Sequence, residues 1–191
     1  LGEGDFAIFV GAGGVGGFGV QIARALGARV LAIDIDPDRL SLIAAHGAEW
    51  TVNSSGQTVK EVRKKVRSLA KDAGLPRAEW KIFETSGSAP GQELAFGLLT
   101  FGAYLGVVGY HPGDVTVRLS NLMAFDARAE GNWGCAPSRY GDVTALVASG
   151  KVQIEPFVEL FPMSKVNEVL DLLRQGRLKK RPVLLPDFKR S

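Results

Sequence analysis

The chain of 191 residues has one cysteine, two histidines and two methionines. A single cysteine, Cys135, excludes a disulfide within the chain and fits a reducing, cytoplasmic setting. Cys135, His46 and His111 stand far apart in sequence, without the short spacings of a zinc site, so no metal ligand is expected among them. No apolar run approaches the roughly 20 residues of a membrane span, and no signal-peptide pattern leads into the first apolar run. An excess of one charge is also missing. The net charge is +3, and the surplus is divided between the stretch around Lys60 to Lys71 and the tail, which argues against a nucleic-acid partner. Internal repeats and low-complexity tracts are absent. The first residue is Leu1 rather than Met, and "LGEGD" feeds directly into a strand, so the chain is expected to be a piece of a longer one.

What the sequence has in abundance is glycine, 24 residues of it, set in a regular alternation of apolar runs and helical patterns. "FAIFV" reads as a buried strand, and Val15, Val20, Ile22, Ala23 and Leu26 follow at helical spacing. "RVLAID" is a second strand, Pro37 suits a helix first turn that runs on to His46, and "EWTVN" is a short third strand. Between Thr58 and Gly74 lies an amphipathic helix with Val59, Val62, Val66, Leu69 and Ala73 on one face. Thr58 and Glu61 form a T-x-x-E capping box at its start. Its basic face, Lys60, Arg63, Lys64, Arg67 and Lys71, fits a solvated surface or an anion site.

"WKIFET", "AYLGVVG" and "ARAEGNWGC" supply three more strands, with a helix from Pro90 after the first and another from Pro137 to Ser149 after the last. "VTV" and "NLMAF" are short elements of unassigned type. Six strands alternating with helices predict an α/β fold, a doubly wound parallel sheet with a crevice at the carboxyl ends of its strands. After Lys151 the rhythm changes to a strand-helix-strand tail, in which Pro156 opposes a central strand position and Ser164 is expected to cap the helix carrying Val166, Val169, Leu170 and Leu173.

Six of the fourteen residues from Phe6 to Gly19 are glycine, which alone is weak grounds for a ligand site in so glycine-rich a chain. Context strengthens it: Gly11-x-Gly13-x-x-Gly16 follows a strand, opens a helix, and precedes an acidic strand end, Asp34, by 18 residues. Gly11 permits the tight turn, Gly13 clears the approach of a pyrophosphate, and Gly16 lets helix and strand pack closely. The N–H groups of the first helical turn then face the anion. Asp34 is expected to accept the adenosine ribose hydroxyls and to repel a 2′-phosphate, favouring NAD over NADP. The plainer reading makes Asp34 a turn residue, since Asp36-Pro37 follows.

With these features in place, the whole chain resembles the cofactor-binding half of the medium-chain, zinc-type alcohol dehydrogenases. The resemblance is carried by "GAGGVG", "AIDIDPDRL", "HGAEWTVN", "IFETSGS", "LGVVGY", "EGNWGC", "SGKVQIEPFVE" and the closing "VNEVLDLLRQGRLKKRPVLLP". Within that family, "LMAFDA…GNWGC…KVQIEPFVE" most resembles the 6-hydroxycyclohex-1-ene-1-carbonyl-CoA dehydrogenases of anaerobic benzoyl-CoA degradation.

The resemblance implies a Rossmann NAD-binding domain over 1–150. Residues 151–191 are then a remnant of a GroES-like catalytic domain that precedes this half in the family, carries any zinc, and is missing here. It places Gly14 and Val15 against the pyrophosphate beside Gly11, Gly13 and Gly16, and Arg39 beside Asp34. Thr85 and Ser86 come near the adenosine side, Val108, Gly109 and Tyr110 beside the nicotinamide, Asn132, Trp133 and Gly134 on its carboxamide side, and Arg181 at the pyrophosphate. Without it, Tyr110 and Trp133 read as core aromatics. Cys135 reads as a small buried hydrophobe, and His111 as a surface loop residue. A tail lacking its partner domain would expose apolar surface, with Phe157, Val158 and Leu184 as candidates.

The implied activity is NAD-dependent hydride transfer from a secondary alcohol, with an alicyclic hydroxyacyl-CoA as the small-molecule substrate. Polyol, threonine or enoyl-thioester chemistry, and a non-catalytic NAD-binding module, stay open. No catalytic residue is assigned. The sixth strand is an edge available for pairing, so a homo-oligomer is expected.

Overall fold

The computed structural model describes residues 1–187. The chain divides into two compact units, Leu1–Val152 and Gln153–Ser191.

The first unit is a six-stranded parallel sheet of β1 (Phe6–Val10), β2 (Arg29–Asp34), β3 (Trp50–Asn53), β4 (Lys81–Glu84), β5 (Tyr104–Val107) and β6 (Arg128–Gly131), in the order β3-β2-β1-β4-β5-β6. The helices between them are α1 (Gly14–Ala25), α2 (Pro37–Ala44), α3 (Val59–Asp72), α4 (Ala89–Gly97) and α5 (Ser120–Ala124), with α6 (Tyr140–Ala148) after the last strand. The order reverses direction at β1, so chain connections leave to opposite sides from β1 and β4 and open a crevice there at the carboxyl ends. The expected doubly wound α/β class is the one observed.

Burial explains why the apolar runs became strands. All five β1 residues are buried, as an inner parallel strand covered on both faces requires. Phe6 packs edge-on to Trp80 and Trp50 with ring centroids 5.6 and 6.3 Å away, while Phe9 stacks on Phe83 at 4.9 Å. Val62, Val66 and Ala70 of α3 are buried in the same core, with Val59, Leu69 and Ala73 packed against it. The α3 cap forms as expected: Thr58 Oγ1 accepts the Glu61 amide at 3.3 Å, and Glu61 Oε2 accepts the Thr58 amide at 2.7 Å. At the far edge of the sheet, every residue of β6 is exposed.

Several local expectations needed correction. Helix α4 begins at Ala89, one residue before Pro90, because Ser88 accepts the Gly91 amide and serves as the cap. Helix α2 ends at Ala44, short of His46. Pro137–Arg139 is a separate 3-10 turn ahead of α6, and "NLMAF" contains the short helix α5.

The second unit pairs β7 (Val158–Pro162) with β8 (Arg181–Leu185) in parallel, joined through α7 (Val166–Arg174). Ser164 does not cap α7. It lies inside the 3-10 turn Met163–Lys165, which puts Lys165 at the N-cap position, and Asp187 accepts the Ser164 hydroxyl at 2.5 Å and its amide at 3.0 Å, bonds that hold the Asp187 pKa below the usual range. Phe157, expected among the exposed residues, is buried, whereas Leu160, Leu170, Leu173 and Leu185 are exposed. Pro156 lies in a 3-10 turn ahead of β7.

Candidate functional site

The glycine turn sits at the crevice. Gly11 takes φ +101°, a conformation that side chains disfavour, and donates its amide to Ile33 O at 2.7 Å. A Cβ on Gly11 would lie 2.6 Å from the Ser86 amide nitrogen. One on Gly16 would overlap the Gly11 carbonyl oxygen and come within 2.7 Å of Thr85 Oγ1. Thr85 in turn donates its hydroxyl to Gly11 O at 2.8 Å and lies 3.1 Å from Val10 O. These contacts show why α1 can start so close to the strand ends only if positions 11 and 16 lack side chains.

Gly13 differs from both. A Cβ there would meet nothing nearer than Arg39 Nη1 at 3.9 Å, so the space ahead of it is open and bordered by a guanidinium. Helices α2, α3 and α4 are capped by Asp36, Thr58 and Ser88, whereas α1, like α5, α6 and α7, has no side-chain cap, and it has no acidic residue in its first turn. Its leading N–H groups, on Gly14, Val15 and Gly16, are therefore left for an outside acceptor. Val15, an apolar residue in this first turn, is 47% exposed.

Asp34 ends β2 and is buried. Its Oδ2 accepts the Ala12 amide at 2.6 Å and its Oδ1 the Asp36 amide at 2.9 Å. Each carboxylate oxygen still has acceptor capacity after one such bond. Arg39 lies with its Nε 3.8 Å from Asp36 Oδ2, and that Nε is a buried donor without a hydrogen-bond partner. An open space before Gly13, an uncapped helix start and an arginine Nη1 bordering that space together fit an anionic group next to a sugar, as a dinucleotide presents.

The other expected residues of the first unit lie at the carboxyl ends of its strands. Val107 is in register with Glu84 and with Gly131, which brings Val108–Tyr110 and Asn132–Gly134 to adjoining strand ends. Val108 and Gly109 donate their amides to Glu84 O at 2.9 and 3.0 Å, and Asn132 donates to Val107 O at 3.0 Å. Gln92 Nε2 reaches Gly109 O at 3.1 Å. Tyr110 and Trp133 are not core aromatics: they are 74% and 96% exposed, because each lies past its strand end, beyond cover from the helices. Cys135 is exposed for the same reason, against the expectation of a buried residue. Ser86 and its neighbour Ser88 sit on the turn into α4 with their hydroxyls 3.0 Å apart. Arg181 belongs to β8 of the second unit and is exposed there.

Glu84 was missed in the sequence. It ends β4 fully buried, its Oε1 accepting Ser86 N at 2.8 Å, Ser86 Oγ at 2.5 Å and Gly87 N at 3.2 Å. The available signal was an ionisable residue closing an apolar strand run, in "KIFE". Among the described residues, no group of three or more His, Cys, Asp or Glu could hold a metal ion.

A parallel sheet in this order, with a glycine turn at the strand reversal and an acid at the end of the next strand, is the doubly wound α/β arrangement of a Rossmann-like fold. The chain belongs to the zinc-binding dehydrogenase family, whose pattern matches residues 14–149. It is 29% identical over 181 residues to an alcohol dehydrogenase of Moraxella sp. (strain TAE123), covering 95% of this chain and 50% of that protein. It is 27% identical over 177 residues to an L-threonine 3-dehydrogenase of Anaeromyxobacter sp. (strain Fw109-5), covering 91% and 49%. The crystal structure of galactitol-1-phosphate dehydrogenase from Escherichia coli superposes with a TM-score of 0.82 at 27% identity, over 96% of this chain and 54% of that one. The chain thus spans about half the length of the curated relatives it matches. No helix among the described residues is long and apolar enough to cross a membrane.

Proposed function

We propose that this chain is the NAD-binding half of an enzyme that oxidises a secondary alcohol by hydride transfer. The observation that carries the reading is the uncapped start of α1 facing the open space at Gly13, with Arg39 Nη1 bordering that space and Asp34 at the end of the adjacent strand. The α1 amides and Arg39 hold the pyrophosphate and the adjoining ribose, and Asp34 accepts the ribose hydroxyls and rejects a 2′-phosphate. The ends of β5 and β6, at Val108–Tyr110 and Asn132–Gly134, border the nicotinamide. When bound, NAD supplies the hydride acceptor, and the protein supplies its position and electrostatics.

The substrate reading is an alicyclic hydroxyacyl-CoA, specifically 6-hydroxycyclohex-1-ene-1-carbonyl-CoA, and it rests on the wording from "LMAFDA" to "KVQIEPFVE". Relatives named for alcohol, threonine and galactitol 1-phosphate support the wider class of alcohol substrates. Residues 151–191 are the returning part of a catalytic domain, and that domain holds any zinc. The exposed β6 edge supports a homo-oligomer in which two copies pair there.

Calorimetric titration of the 191-residue chain tests the cofactor half of this reading: NAD is expected to bind and NADP to bind at least about tenfold more weakly. Equal affinity for the two, or none for either, overturns it. For the substrate, the full-length enzyme is assayed on hydroxyacyl-CoA thioesters beside free alcohols and polyols. Turnover confined to the free alcohols removes the thioester assignment.

A further inference from the structure

Two consecutive residues at the end of β4 fasten opposite sides of the crevice. Thr85 donates to Gly11 O and so holds the glycine turn. Glu84 holds the other side. Its Oε1 gathers the Ser86 amide, the Ser86 hydroxyl and the Gly87 amide, while its backbone carbonyl accepts Val108 N and Gly109 N. Its second oxygen, Oε2, is buried with no hydrogen-bond partner, and a Cβ on Gly109 would lie 2.5 Å from it. Gly87, with φ +64°, packs so tightly on the next residue that a Cβ there would be 2.8 Å from Tyr110 O.

A carboxyl oxygen is costly to leave buried and unpaired. What Glu84 does supply is one acceptor oxygen, Oε1, shared by the Ser86 amide and hydroxyl and the Gly87 amide, a clamp on a turn that has no other side-chain acceptor at Ser86 N and Gly87 N among the hydrogen bonds described. That turn is in contact with the Gly109–Tyr110 backbone, so the clamp fixes where the end of β5 stands.

We infer that Glu84 is a positioning residue for the nicotinamide end of the dinucleotide. It acts through the Ser86–Gly87 turn on Val108–Tyr110, and leaves the adenosine and pyrophosphate side to Thr85, Asp34 and the glycine turn. The inference rests on the dinucleotide reading above.

Two ligands separate the two ends of the crevice: NAD, and ADP-ribose, which lacks the nicotinamide. Both are titrated calorimetrically into the wild-type chain, Glu84→Ala and Glu84→Gln. In E84A the affinity for NAD is expected to fall about tenfold relative to that for ADP-ribose. In E84Q, whose amide oxygen can still accept the Ser86 and Gly87 amides, part of that ratio returns. Where E84A does not fold, E84Q carries the test alone, with an expected fall in the ratio of about threefold. A ratio that stays at the wild-type value, whether both ligands weaken together or neither does, overturns the positioning role and leaves Glu84 a structural residue. Failure of the wild-type chain to bind ADP-ribose is a different result: it removes the dinucleotide reading itself, and this inference with it.

Discussion

Asp34 Oδ2 accepts the amide of Ala12 at 2.6 Å, so the acid at the end of β2 is tied to the glycine turn as well as facing the crevice. One side chain therefore links the two parts of the motif, and its replacement has two consequences. Asp34→Ser is expected to weaken NAD by about tenfold or more through loss of a charged acceptor, and to narrow the preference over NADP. It should also lower the melting temperature, because the buried Ala12 amide loses its partner. Asp34→Asn, which keeps one acceptor oxygen, should fall between. Unchanged NAD affinity in both variants would remove the ribose assignment.

The two glycines that open α1 should respond in opposite ways. In Gly16→Ala the new methyl meets the Gly11 carbonyl, which is backbone and has no room to turn aside, so the chain should lose several kcal/mol of stability, on the order of 2–4. Gly13→Ala meets no close atom, and its melting temperature should stay near that of the wild type. Its methyl would instead occupy the space expected for the pyrophosphate, and NAD and ADP-ribose binding should drop sharply. Thermal melts and titrations on the two variants read this contrast directly.

Arg39 borders the open space at Gly13 with its Nη1, while its Nε stands 3.8 Å from Asp36 Oδ2. Arg39→Ala should weaken ADP-ribose about three- to tenfold at low ionic strength, with the gap closing as salt rises. Arg39→Lys should restore only part, since an ammonium presents no fixed fork of donors. A salt-independent difference between wild type and R39A would point to packing instead of charge.

The α3 cap makes a pH prediction. Hydrogen bonds from the Thr58 hydroxyl, then from its backbone, hold the Glu61 pKa below the ordinary carboxylate range. A depressed folded-state pKa means that the stabilisation is present in full above the unfolded-state value. It is lost as pH falls through the folded one. Thr58→Ala should therefore raise the Glu61 pKa toward its ordinary value, as carbon-detected NMR would show. The stability gap between wild type and T58A should shrink in acid.

The amino-acid sequence determined the sheet, its parallel strands and the place of the glycine turn. It could do so because those features are local: apolar runs too uniform for an exposed strand, helices with caps such as Thr58 and Glu61, and glycines at fixed distances from both. The place of Asp34 at the end of β2 was legible for the same reason, by its spacing along one strand–helix–strand unit. What tertiary structure decided involves groups distant in sequence. Tyr110, Trp133 and Cys135 have the composition of core residues and are exposed, because burial depends on which helix lies over a strand end and not on the residue type. Ser164 is a residue type that caps helices, yet the chain winds a 3-10 turn through it, and its hydroxyl donates to a carboxylate 23 residues away. Glu84 read as the end of an apolar strand. Only the packing of β4 against β5 brings its carboxylate against Gly109 and gives that acid a part in the crevice.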